Sequence, residues 1–220
     1  MTTNFERAVN KVLAHEGGFV NDPADPGGAT NLGITIKTLS DWLGFSASVD
    51  DVRNLTRGTA VSIYKENYWD AVRGDQILSY PIAFSLFDQA VNKGPSKAIQ
   101  FAQEVLGVYP SGRMDSELVD RINNSDERDF VNKFLDRSEK HYYNLVSSNS
   151  TLQKFLNGWL YRINSIRTYV EPYMGMQSKM VETQTISTSS SSKIPTALIA
   201  ILGIGLVGAG AIIIMSKRKA

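Results

Sequence analysis

Apolar positions recur at helical spacing through most of the chain. Thr3 followed by Glu6 has the form of a capping box, and Phe5, Val9, Val12 and Leu13 then fall on one helical face that Gly17 and Gly18 are placed to stop. The same spacing predicts helices over 35–43, 59–69, 81–93 and 96–106, with Gly94 and Gly107 closing the last two. Two more are predicted over 115–123 and 126–146, and a last one carries Leu152, Phe155, Leu156, Trp159, Leu160 and Ile163. Residues 18–34 are dense in Gly, Pro, Asn and Asp and read as a turn-laden loop or small β-hairpin. There is no internal repeat and no parallel-sheet pattern. The predicted fold class is therefore mainly α, a helical domain with a short loop or β-hairpin after its first helix.

The pattern changes near the C-terminus. Residues 173–193 become polar and low in complexity, ending in Ser189 to Ser192, and read as a flexible Ser/Thr-rich tether that buries too little apolar surface to order itself. Residues 194–215 carry no charge and have the length of one transmembrane helix, followed by a basic tail over 216–220 with Lys217, Arg218 and Lys219. A single-pass, C-terminal membrane anchor in a lipid bilayer is the expectation. Gly203, Gly205 and Gly208 mimic a dinucleotide-binding pattern without its strand and helix, and with Ala209 and Gly210 they offer a small-residue face for helix–helix association in the membrane. The basic tail favours a cytoplasmic C-terminus with the large domain outside, whereas residues 1–11 lack a signal-peptide core, so the orientation stays open.

Composition excludes more than it identifies. A formal net charge of +1 gives no field for nucleic acid. The absence of cysteine removes disulfides and thiolate chemistry, and two histidines are too few for a His-rich metal cage. No metal and no cofactor is expected.

Candidate chemistry begins at Glu16. Its distance from Val12 and Leu13 continues the buried face of the first helix, near the negative end of the helix dipole. Desolvation and the dipole both favour the protonated carboxyl, as a general acid requires. Asp22 and Asp25 follow on the Gly/Pro-shaped loop, where carboxylates can face a helix-end acid across a cleft in the manner of glycosidases. Asx-Pro segments are equally ordinary turn initiators. A calcium loop is ruled out because its glycine and glutamate positions are not filled.

The run His15-Glu16-Gly17-Gly18-Phe19-Val20-Asn21-Asp22-Pro23-Ala24-Asp25-Pro26-Gly27-Gly28-Ala29-Thr30-Asn31-Leu32-Gly33-Ile34-Thr35 resembles the signature of glycoside hydrolase family 108. These are N-acetylmuramidases common among phage endolysins and bacterial lytic proteins. The likeness continues through Tyr64, Tyr68 and Trp69, through Phe87 to Gly94, and through Phe155 to Arg162, and so covers about residues 4 to 170. It implies a lysozyme-like helical fold acting on bacterial peptidoglycan, with Glu16 as the catalytic acid. Glu16, Asp25 and Thr30 are also similar in spacing to the Glu/Asp/Thr set of phage lysozymes, one residue shorter between Asp and Thr. Asp25 is the first choice for the second carboxylate, Asp22 the alternative, and Thr30 is a candidate for holding water.

Asp22, Asn31, Tyr68, Trp69, Asp88 and Asn92 are the candidate substrate-binding residues. Aromatic faces suit sugar C–H surfaces, and Asp88 and Asn92 lie four apart on one helical face. The resemblance divides the domain into a lysozyme-like catalytic region, 1–93, and a helical second half, 94–172, as a peptidoglycan-binding region. It implies hydrolysis of the β-1,4 bond between N-acetylmuramic acid and N-acetylglucosamine. A lytic transglycosylase would share substrate and acid, and an inactive, membrane-tethered wall-binding or virion protein would share the fold. The intact Glu16–Asp25–Thr30 set argues for activity. With the anchor, the expected location is a host inner membrane or a virion membrane.

Overall fold

Capping residues set most helix starts in the computed structural model, which describes residues 2–14, 17–21 and 28–176. The Thr3 hydroxyl accepts from the Glu6 amide at 3.1 Å and the Glu6 carboxylate accepts from the Thr3 amide at 2.8 Å, opening α1, Asn4–Leu13. Ala14 caps α1, so the helix closes ahead of Gly17 and Gly18, the predicted stops. A two-stranded antiparallel hairpin follows, β1 (Thr30–Asn31) and β2 (Ile34–Thr35), inside the predicted loop segment. Its two-residue turn, Leu32-Gly33, has φ of 51° and 73°, positive at both positions as a tight hairpin turn demands. Thr35 ends the hairpin and caps α2, Ile36–Leu43.

A short helix that the periodicity does not predict, α3 (Val49–Arg53), is set by a second capping box, Ser48 with Asp51. Then α4, Arg57–Tyr64, runs into one widened π-helical turn, Lys65–Trp69, instead of continuing to Trp69 as a regular helix. The wide turn brings two residues five apart, Tyr64 and Trp69, onto the same interior side, and both are fully buried.

The centre of the molecule is α5, Tyr80–Lys93, whose residues from Tyr80 to Ala90 are buried without a break. Around it stand α1, α6 (Pro95–Val105), α8 (Glu127–Ser148) and α9 (Gln153–Val170), with α7 (Ser116–Asn123) leading into α8. A helix hydrophobic on all sides must be surrounded, and α5 draws its cover from both halves of the chain. The predicted regions 1–93 and 94–172 therefore share one core, and the described residues lie within a single unit, 1–177. Among the described residues no helix is long and apolar enough to cross a membrane. The predicted span 194–215, with most of its tether, lies outside them.

Candidate functional site

Two neighbourhoods hold the predicted site residues. The first is the hairpin. Val20 and Thr30 exchange both backbone hydrogen bonds, each 2.8 Å, and so close the base of the segment that contains Asp22 and Asp25. Asp22, Asp25 and Glu16 themselves lie outside the described residues. The nearest described residue before Glu16 is Ala14, which caps α1 in helical conformation.

Thr30 is half-buried and stands directly across the hairpin from Thr35. The Thr35 and Thr38 hydroxyls meet at 3.0 Å, and Thr38 in turn bonds the Tyr68 phenol. Burial raises the Tyr68 pKa, with the Thr38 bond working against it. A short run of hydroxyls thus joins Thr35, the strand partner of Thr30, to the half-buried Tyr68. Tyr64 fastens the same hairpin by donating its hydroxyl to the Leu32 carbonyl at 3.1 Å.

Two predicted substrate contacts are corrected here. Asn31 is buried, and its side-chain amide donates to the carbonyls of Val52 and Arg53 at 3.0 and 3.1 Å, tying β1 to the end of α3. Trp69 is fully buried, its indole among Phe5 (5.6 Å) and Phe87 (5.5 Å) and its ring N–H donated to Asp75 at 2.8 Å. A Cβ on Gly74 would come within 2.4 Å of that ring, so the backbone itself seals the indole in. The π-helical turn explains the mismatch, since regular helical spacing would have turned Trp69 away from the Tyr64 side.

The second neighbourhood is a cleft of about 280 Å³ where α1, α5 and α9 meet. Val12, Phe84 and Ile166 supply its apolar surface; Lys11, Asp88 and Arg162 supply its charge. Lys11 and Val12 precede Glu16 by five and four residues in sequence. Asp88 is only 5% exposed, and Arg162 grips it in a two-point ion pair, Nε to Oδ1 and Nη2 to Oδ2, both 3.0 Å. Asn92 donates to Oδ1 at 3.2 Å and to the Asp88 carbonyl at 2.7 Å; Gln89 donates to Oδ1 at 3.3 Å. Asn92 bonds Asp88 one turn along α5 but is not among the described residues lining the cleft, and the Asp88 carboxylate is occupied within the protein. Its direct substrate contact is replaced by a positioning role toward Arg162.

Behind this pair, Lys93 donates to the Gln89 side-chain oxygen and, at 2.7 Å, to the Tyr142 hydroxyl, with its ammonium 4.1 Å from the centre of the Tyr142 ring. Burial brings the Lys93 pKa down to about 7, outweighing the pull of Asp88, and Arg162 pushes it the same way. Tyr142 stacks on Trp159 at 4.7 Å, and burial pushes its phenol up to about 12.

Sequence reasoning missed Lys11, Tyr161 and Arg162 as residues of this cleft. For Arg162 a signal existed: it interrupts the stripe Phe155, Trp159, Ile166 on the last helix, while α5 carries a carboxylate in an otherwise buried helix. A sealed carboxylate requires a partner. Among the described residues no group of three acids or histidines is arranged to hold a metal ion.

The family model described as glycosyl hydrolase 108 matches residues 9–94 of the chain. A solved structure from Brucella abortus, that of SagA, is similar with a TM-score of 0.69 and 32% sequence identity, covering 77% of this chain and 94% of that one. No curated protein matches the chain.

Proposed function

This chain belongs to the glycosyl hydrolase 108 family and is a glycoside hydrolase directed at peptidoglycan, and from that premise we propose an N-acetylmuramidase that cuts the β-1,4 bond between N-acetylmuramic acid and N-acetylglucosamine. Glu16 is its general acid, donating a proton to the glycosidic oxygen. Asp25, with Asp22 as the alternative, stabilises the oxocarbenium-like transition state or orients water, and the Thr30 hydroxyl holds that water. The observation that supports the reading is the backbone pairing of Val20 with Thr30, which brings the two ends of the segment carrying both aspartates to the hairpin that bears Thr30. Tyr68, linked by hydroxyls through Thr38 to Thr35 on the same hairpin, offers a half-buried aromatic edge to a sugar.

The test compares the full chain with Glu16→Gln on purified cell walls, with the muropeptides read by mass spectrometry. Wild type is expected to release products with a reducing muramic acid end, and Glu16→Gln to lose at least about a hundredfold in rate, the scale of general acid catalysis. Equal lysis by the variant overturns Glu16 as the acid, and anhydro-muramic products overturn hydrolysis.

The same reading includes residues 194–215 as a membrane anchor that holds the enzyme at its polymeric substrate and raises its local concentration there. Fractionation checks this: recovery of the whole chain from the soluble fraction removes the anchor, and protease protection in spheroplasts reports the side on which the domain lies.

A further inference from the structure

Gly158 lies in the interior of α9, where the fold does not ask for a glycine. A glycine inside a helix is destabilising relative to alanine, because it loses more backbone freedom on folding. Where a glycine is structural, a neighbour occupies the place of its Cβ or the backbone takes a positive φ. Gly74 is the first case, pressed by the Trp69 ring, and Gly94 is the second, at a φ of 82°. Gly158 is neither: it is helical, and a Cβ there would meet nothing within 4 Å. It lines the cleft of about 280 Å³ between α1, α5 and α9, so the missing side chain leaves that cleft wider.

The surface neighbours of this gap are Tyr161 and Arg162, three and four residues further along the helix. Arg162 is engaged by Asp88 and serves as a fixed wall. Tyr161 is exposed, and its ring beside bare backbone makes a flat apolar face with open space next to it. Ser165, one turn beyond Tyr161, adds a hydroxyl to the same lining, and Val12 and Phe84 supply apolar surface. A pyranose ring matches this set. Its C–H face covers an aromatic ring, its hydroxyls take uncharged polar partners, and its thickness needs the room that a side chain at position 158 would fill. The α1 wall of the cleft, Lys11 and Val12, belongs to the last turn before Ala14, two residues ahead of Glu16 in sequence.

We propose that α9 carries a glycan subsite in which one sugar ring of the strand lies across the backbone at Gly158, stacked on the Tyr161 ring. The subsite rests on the muramidase reading and adds to it a place where the strand is held by a ring contact. The stability that the helix forgoes at Gly158 is room for the ligand.

Gly158→Ala, Gly158→Leu and Tyr161→Ala in the full chain test this, with KM on soluble glycan strands and the thermal unfolding midpoint read together. Gly158→Ala is expected to raise the midpoint by about 2–4 °C, the effect of helix propensity in a domain of this size. The same change is expected to raise KM by about threefold, so that stability and substrate binding move in opposite directions. Gly158→Leu fills the gap and is expected to raise KM by about tenfold or more. Tyr161→Ala is expected to raise it by about three- to tenfold, the scale of one aromatic contact. A fall in midpoint with Gly158→Ala would mean that the helix itself needs the glycine, and overturns the subsite. A KM that Gly158→Leu leaves unchanged overturns it as well. Calorimetric binding of the same strands to Glu16→Gln keeps the two readings apart. Strands that wild type leaves uncut, but that bind Glu16→Gln and lose affinity once Gly158→Leu is added, overturn the muramidase reading and uphold the subsite. Cleavage by wild type with binding indifferent to Gly158→Leu overturns the subsite alone.

Discussion

Phe87 and Asp88 are consecutive on α5 and both are buried, but they face different company. Phe87 turns to the rings of Trp69, Phe5 and Tyr64, at 5.5, 6.3 and 6.3 Å, in a closed aromatic cluster. Asp88 turns to Arg162 and to the cleft beyond it. The aromatic residues follow the same division: Trp69 is sealed, whereas Trp159 is half-buried on Tyr142, and Phe155 and Tyr161 stand open at 46% and 73% exposure. One side of the helix is filled for stability. The other holds a charged pair on the lining of a cleft that the exposed Tyr161 also borders.

The largest effect is expected on the closed side. Phe87→Ala removes a ring that touches three others, and a buried Phe-to-Ala change costs about 3–5 kcal/mol. Chemical denaturation gives this directly. A loss under about 1 kcal/mol would mean that the cluster relaxes into the gap, and the contrast between the two sides would lose its basis.

Asp88→Asn comes next. It keeps the shape but removes the charge beneath Arg162, with an expected loss at the lower end of about 1.5–3 kcal/mol, because Arg162 retains 27% of its side-chain exposure. The sharper readout is functional: KM should rise with kcat nearly unchanged, as for a residue that positions another. A double-mutant cycle with Arg162→Gln should be non-additive, since both variants break one interaction. Additive losses would show that Asp88 serves the core and not the cleft.

The comparison also shows what a sequence can and cannot reveal. Phe5, Val9 and Val12 at helical spacing are enough to find α1, and Ser48 with Asp51 signals α3 once a short helix is allowed. The hairpin follows from the glycines and prolines around it. The burial of Trp69 escapes the sequence because one widened turn changes the side that a residue faces, and that choice is made by packing against Phe5, which is distant in sequence, and against the nearby backbone of Gly74. Asn31 was misread because a side-chain amide looks the same whether it meets a sugar or the Val52 and Arg53 carbonyls. The Asp88–Arg162 pair spans 74 positions, beyond the reach of any local pattern.

Lys93 tests the polar side through pH. Its ordinary pKa is 10.5 and in the folded protein it falls to about 7. Between those values the unfolded chain holds a proton that the folded chain has released, so this residue makes stability rise with pH. Below about pH 7 both states are protonated and its contribution is level. The slope is at most about 1.4 kcal/mol per pH unit. Denaturation of wild type and Lys93→Met at pH 7 and pH 9 should therefore show wild type gaining relative to the variant. Parallel behaviour would mean that Lys93 keeps its charge through Tyr142 and Gln89, and that the interior beside the cleft is wetter than its burial suggests.

The smallest effect on stability is expected at Tyr161, where the contrast is most easily mistaken. An aromatic residue 73% exposed on α9 contributes little to the core, so Tyr161→Ala should change stability by no more than about 0.5 kcal/mol. Its place on the cleft lining gives it a second measurement. If the open aromatic edge meets substrate, the same substitution raises KM on peptidoglycan while denaturation midpoint and kcat hold. Tyr161→Phe then separates the two parts of the side chain, because it keeps the apolar face that covers sugar C–H groups and removes only the hydroxyl. Recovery of KM by Phe assigns the contact to the ring, and failure to recover assigns it to the hydroxyl. An unchanged KM in both variants would show that this exposed ring serves neither the core nor the substrate.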